Sequence, residues 1–259
     1  MSRDSSVPAW ALVLIVSAVI GACQPGARST EEKDAAAPGR IDPEIDRALQ
    51  PGAAEAGELR EGLAAAVLID VSGSMKREAS GSRESKIVIA RRAATDLVEQ
   101  FAKYADDHPA VPVQLAIFEF SSERSGGDVR QVVPMGRPDR ATAARAIQGM
   151  RADGGTPIGD AMVKGKRALD ATRLTRRHLL VVTDGENTDG FEPGDVARAI
   201  EGRPFDERPT LYFVAFDVEA RRFNAVKNAG GFVMEAASGK ALGETIDSLL
   251  RGRILIEKD

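Results

Sequence analysis

Leu63-Ala64-Ala65-Ala66-Val67-Leu68-Ile69 runs without a polar residue into Asp70-Val71-Ser72-Gly73-Ser74. A short continuous apolar run of this kind fits a central parallel strand covered on both faces. The strand delivers three oxygen-bearing side chains to one point. Asp70, Ser72 and Ser74 alternate, are short enough to turn toward one centre, and flank Gly73, which permits a tight backbone. Carboxylate and hydroxyl oxygens suit a hard cation such as Mg²⁺ or Mn²⁺ rather than zinc or copper. Alone, the pentapeptide also describes a strand ending in a polar turn. The choice rests on whether other segments bring oxygens to the same place.

Outward from this stretch, strand and helix signals alternate. Residues 76–85 read as a polar loop, and residues 86–104 carry apolar positions at helical spacing. Strands are expected at 113–120 and 129–134, joined by a polar turn at 121–128 too short for a crossover helix, so the two form an antiparallel hairpin. Helices follow near 141–150 and from Pro157 to about Ala171, then a buried strand at 178–183 that ends in Asp184-Gly185. Helices near 194–200, 222–229 and 242–250 alternate with strands at 210–216 and 232–235, and the apolar tail at 254–256 is expected to pack on the domain. The pattern predicts an α/β fold: an open, mostly parallel sheet with one antiparallel strand and helices on both faces.

Strand directions decide where the polar turns meet. The first strand rises to Asp70, the second rises again, and the antiparallel third strand inverts the order. The next helix must climb, so the loop holding Gly154-Gly155-Thr156 arrives at the same end, and the strand after it brings Asp184 there too. Five oxygen-bearing groups thus converge at the carboxyl ends of the strands: Asp70, Ser72, Ser74, Thr156 and Asp184. Ligand sites of open α/β sheets lie at that end. Two carboxylates in one crevice repel, and a divalent cation resolves the repulsion. Thr156 before Pro157 also suits a helix start, and Asp184-Gly185 also suits a turn. Asp153, Glu186 and Asp217 fall near the same end and read as structural or solvated. The loops at 76–85 and 121–128 flank the site and are expected to set partner choice.

Asp70-Val71-Ser72-Gly73-Ser74, Gly154-Gly155-Thr156-Pro157 and Thr183-Asp184-Gly185 together resemble the metal-ion-dependent adhesion site (MIDAS) of von Willebrand factor A (VWA) domains. The resemblance runs from about residue 63 to residue 250. It implies a Rossmann-like domain with Mg²⁺ or Mn²⁺ at the top. The serines and threonine would bind metal directly or by exchange, and the aspartates directly or through water. A partner protein would complete the shell with an Asp or Glu. In some members of the family the last helix, here 242–250, shifts when that partner ligand arrives.

Other readings have less to stand on. Asp70 after the first strand, a central Thr and a late Asp also suggest a haloacid-dehalogenase-type phosphohydrolase, but Ser72 stands where that chemistry needs a second carboxylate as acid/base. Neither a GxxxxGK phosphate loop nor a convincing GxSxG elbow is present in the sequence. A structural or regulatory scaffold whose metal site is not essential is the remaining alternative. With two histidines and one cysteine, a zinc site or a Ser-His or Cys-His pair has almost nothing to be built from, and both His108 and His178 read as surface or strand-edge residues. The net charge of −4 and the scattered arginine pairs 91–92, 176–177 and 221–222 argue against nucleic acid as a partner.

The amino-terminal 61 residues read differently from the rest. Residues 7–20 form an apolar run shorter than the about twenty residues a membrane-spanning helix needs, and fit a signal-peptide core. The run ends in Ile20-Gly21-Ala22-Cys23, which resembles the lipobox of bacterial lipoproteins, and Cys23 is the only cysteine of the 259-residue chain. The resemblance implies cleavage before Cys23, lipidation of its thiol, and a membrane-anchored protein of the bacterial envelope facing the periplasm or the exterior. Residues 23–61, rich in Pro, Gly, Ala and charge, read as a flexible tether, with a short helix possible from Asp42-Pro43 to Gln50. Residues 62–259 are then the VWA-like domain.

Overall fold

The computed structural model describes residues 42–50, 58–122 and 128–256. The expected leader, Cys23 and most of the tether lie outside them, as does the centre of the 121–128 turn. All described residues fall in one compact unit, Pro38–Asp259. Among them, no helix is long and apolar enough to cross a membrane.

Six strands form one sheet: β1 (Arg60–Asp70), β2 (Val113–Phe120), β3 (Val129–Gly136), β4 (Leu174–Thr183), β5 (Thr210–Phe216) and β6 (Phe232–Ala236), in the order β3-β2-β1-β4-β5-β6. Only the β2–β3 pair is antiparallel. The strand that inverts the chain direction is therefore an edge strand, which explains how Pro134, with no N–H to donate, is tolerated within it.

β1 sits in the middle, and its side chains alternate between two cores. Leu63, Ala65, Val67 and Ile69 face one cluster, under α2 (Lys86–Asp107), α3 (Arg140–Gly149) and α7 (Gly239–Leu249). Ala64, Ala66 and Leu68 face the other, under α1 (Pro43–Ala48), α4 (Ile158–Thr172), α5 (Pro193–Glu201) and α6 (Asn224–Asn228). Gly165 lets α4 lie close to the sheet: a Cβ there would stand 2.5 Å from a Leu179 methyl of β4 and 3.0 Å from a Leu68 methyl of β1.

One expectation is overturned and two are extended. The short helix expected from Asp42-Pro43 within the tether is present as α1, and it packs on the domain. Asp42 caps it by accepting from the Glu44 N–H at 2.7 Å, and Ile45 and Leu49 are buried in the second core. The bland composition around the helix hid two apolar anchors four residues apart. His178 is fully buried rather than at a strand edge, because β4 begins four residues earlier than its apolar run, at Leu174. It pairs in register with Ala65 on one side and Thr210 on the other. The last helix continues past Leu249 into a π-helical turn, Leu250–Ile254, and the apolar tail packs on the domain through Ile254 and Leu255, while Ile256 is exposed.

Candidate metal centre

The strand order creates the site. β1 leads across to β2 on one side and lies against β4 on the other, so the chain reverses its lateral direction between β1 and β4. At such a switch point the loops leaving two neighbouring strands diverge and open a crevice. Ile69 is in register with Val182. Asp70 and the Thr183-Asp184 pair therefore end side by side at the mouth of that crevice.

Asp70 is fully buried and firmly held. One carboxylate oxygen accepts from the Ser72 N–H at 2.7 Å and the other from the Thr183 hydroxyl at 2.6 Å. Burial pushes its carboxyl up to about 6, the hydrogen bonds from Thr183 and Ser72 oppose the rise, and the Asp184 charge adds to it. A chain of oxygens leads away from it. Ser72 Oγ and Ser74 Oγ are 2.9 Å apart, and Ser74 Oγ donates to Asp184 Oδ1 at 2.5 Å.

Thr156 reaches the same place through a rigid loop. Gly73 N–H donates to the Gly154 carbonyl at 2.8 Å and Asp153 N–H to the Val71 carbonyl at 2.7 Å, tying this loop to the one after β1. Gly154 has a positive φ of 73°, and a Cβ there would stand 2.0 Å from the Ser122 carbonyl. The Gly155 N–H donates to Ser122 Oγ at 2.9 Å, and the Thr156 N–H to Thr188 Oγ1 at 2.7 Å. Asp189 accepts from both Thr188 and Ser122, bonds that hold its carboxyl below the usual range. Thr156 does not cap α4, which starts at Ile158; the Ile158 N–H is taken by Asn187 Oδ1 at 2.8 Å. A Cβ built on Gly185 would lie 3.8 Å from Ser74 Oγ and 3.9 Å from Thr156 Oγ1, which places the Asp184-Gly185 turn beside both hydroxyls.

All five expected ligands thus gather at one end of the sheet, from three loops. The donor set is entirely oxygen: two carboxylates and three hydroxyls. No group of three or more His, Cys, Asp or Glu placed to hold a metal ion by themselves occurs among the described residues, and the three hydroxyls here are ligands of the kind that Mg²⁺ and Mn²⁺ accept. The residues fit such an ion.

One side chain escapes the motif reading. Lys86, the first residue of α2, is 4% exposed, and its ammonium lies 2.8 Å from Asp184 Oδ2 and 3.0 Å from Asp217 Oδ2. A lysine opening an amphipathic helix looks like a solvated residue. The available signal was its position three, four and seven residues before Ile89, Ala90 and Ala93, on the buried face. Partial burial works to raise the Asp217 carboxyl, but bonding from Ser80 and Lys86 outweighs it and holds the group below its usual range. Asp153 and Glu186 are engaged at the rim, with Lys76 and Arg222 respectively. Thr183, which stands in the third motif without a role assigned to it there, holds Asp70 through its hydroxyl.

Comparison with known proteins agrees with this architecture. A family model described as the von Willebrand factor type A domain matches residues 65–186, a span that begins in β1 and takes in all five candidate ligands. Residues 65–186 are thus similar to a VWA domain, and the fold around them is VWA-like. Its fold is similar to that of a von Willebrand factor type A protein from Catenulispora acidiphila (22% identity, TM-score 0.58, covering 73% of this chain and 42% of that one). It is similar also to the PilB minor pilin from Streptococcus sanguinis (14%, 0.59, 77% and 62%) and to the pilus adhesin SpaC from Lactobacillus rhamnosus GG (14%, 0.57, 77% and 32%). This chain spans less than two thirds of each of those proteins. No curated protein matches it.

Proposed function

We propose that this is a metal-dependent protein-binding module: a VWA domain that holds Mg²⁺ or Mn²⁺ with Asp70, Ser72, Ser74, Thr156 and Asp184 and docks a partner protein through that ion. The observation that carries the reading is the oxygen chain from Ser72 through Ser74 to Asp184, closed at its base by buried Asp70. The ion would supply a Lewis-acidic position for an Asp or Glu of the partner. The protein's own residues do the positioning. Thr183 and the Ser72 N–H fix Asp70, the Gly154 and Gly155 backbone fixes Thr156, and Ser74 orients Asp184. The role is non-enzymatic. Ser72, not a carboxylate, stands two residues after Asp70, and its hydroxyl is tied to Ser74, so a phosphohydrolase reading lacks its acid/base.

The pilin and the pilus adhesin of like fold support an adhesion role at the cell envelope. The Ile20-Gly21-Ala22-Cys23 segment supports a lipid anchor there. Two measurements test the reading. Wild-type protein should retain an envelope partner in Mg²⁺ and release it in EDTA, and Asp70→Ala should retain none; equal capture by the variant would overturn metal-dependent docking. Cys23→Ala should leave the membrane fraction, and unchanged fractionation would remove the anchor.

The scaffold reading draws on one observation: Lys86 already neutralises one oxygen of Asp184. It predicts partner capture that is indifferent to EDTA.

A further inference from the structure

Lys86 is held in a position that disfavours a cation three times over. It is buried, which strips its ammonium of water. It is the first residue of a 22-residue helix, where the helix dipole disfavours positive charge, and there is no acidic residue in that first turn. Its long side chain gives up rotamer freedom to reach two carboxylates at once, from a backbone whose N–H donates to the Arg77 carbonyl at 2.9 Å. Only the two carboxylates at 2.8 and 3.0 Å offset these costs. Buried ion pairs can often be replaced by apolar groups without loss of stability, so stability alone is a weak reason for this one.

The geometry points to a different role: we infer that Lys86 is a resident internal cation that sets the charge of the candidate metal centre, loosening its hold on the divalent ion and leaving that ion more attractive to an anionic partner. This rests on the metal-binding reading above. Asp184 is divided between two neighbours. Oδ1 faces the serine hydroxyls and Oδ2 faces Lys86, so the lysine both spends part of the carboxylate's charge and restricts it to one oxygen on the metal side. Asp217 is the counterweight. It sits at the end of β5 with a positive φ of 55° and its N–H on the Ala236 carbonyl, and it shares Lys86 with Asp184. Asp70, Asp184 and Asp217 against one ammonium leave two negative charges in excess, which a divalent ion would cancel. Without Lys86 the loaded centre would be net negative and would repel a partner carboxylate.

The sign of the effect separates this role from simple structural support. Mg²⁺ and Mn²⁺ binding to the full chain is measured calorimetrically with the metal alone, and acetate is then titrated as carboxylate probe into the loaded protein. Lys86→Met should bind metal about tenfold tighter or more, and its loaded form should bind acetate more weakly. Asp217→Asn should bind metal about tenfold weaker. The double variant Lys86→Met/Asp217→Asn, which removes one charge of each sign, should return to within about threefold of wild type. It also keeps the test decisive if Lys86→Met alone does not fold. Weaker metal binding in Lys86→Met, or a tenfold loss in the double variant, would overturn the inference and leave Lys86 a structural pin. Absence of metal binding in the wild type would instead overturn the metal-binding reading itself.

Discussion

Asp70 carries opposite demands. Its carboxylate is sealed from water and lies near the charge of Asp184, which suits a cation and disfavours the protein on its own. An acid raised from 3.8 to about 6 in the fold contributes its stability in full below about 3.8, and that contribution is lost as pH rises through 6. At neutral pH the ionised group therefore costs the chelator-treated protein on the order of 3 kcal/mol. Asp70→Asn should remove most of that cost and raise stability in EDTA by about 1–3 kcal/mol in a denaturant titration at pH 7.5, while abolishing any metal response. A less stable variant would mean that the bonds to Ser72 and Thr183 outweigh the charge. At this scale the sequence was informative about ligands and silent about what surrounds them. Asp70, Ser72, Ser74, Thr156 and Asp184 stand in three short motifs, each at a strand end or loop, and can be read in a line. Lys86 and Thr183 act through neighbours distant in sequence, up to 113 residues away; Thr183 stands within the third motif, but nothing local announces what either residue touches.

Among the elements, β4 shows how burial changes a residue's meaning. His178 lies inside a strand flanked by β1 and β5, with Tyr212 beside it at 5.9 Å between ring centroids. Burial, aided by the Arg176 charge, pushes its imidazole down to about 3 from 6.5. Between those values the unfolded chain binds a proton that the fold excludes. The stability tied to this group is therefore fully present above about 6.5 and is lost as pH falls toward 3. His178→Phe should flatten the decline in unfolding free energy between pH 6.5 and 4.5 by about 1–2 kcal/mol, and an unchanged slope would mean that other groups dominate acid unfolding. Most elements were legible from periodicity, and β2 and β5 match their expected bounds. The misses lie where tertiary partners override local pattern. β1 and β4 extend beyond their apolar runs by pairing with each other at Arg60–Leu174. The α1 helix is held by Ile45, Leu49 and an ion pair from Arg203 to Asp46 that spans 157 positions.

At the scale of the whole molecule, one edge strand organises the site. Because β3 runs antiparallel, the chain returns α3 to the top of the sheet and delivers the Gly154–Thr156 loop beside Asp70. That convergence followed from counting strand directions in the sequence. The lateral order β3-β2-β1-β4-β5-β6 did not, since parallel strands of similar apolar content are interchangeable until their packing is known. Metal-dependent docking requires that the top of the sheet hold a divalent ion. Thermal unfolding of the purified full chain in EDTA and then in saturating Mg²⁺ or Mn²⁺ tests it most directly. An ion present at about 100 times its dissociation constant adds about 2.7 kcal/mol, or roughly 5–10 °C for a domain of this size. Wild type should show a rise of that order and Asp70→Asn none. Identical melting with and without metal in the wild-type protein, or an equal rise in the variant, would contradict metal-dependent docking.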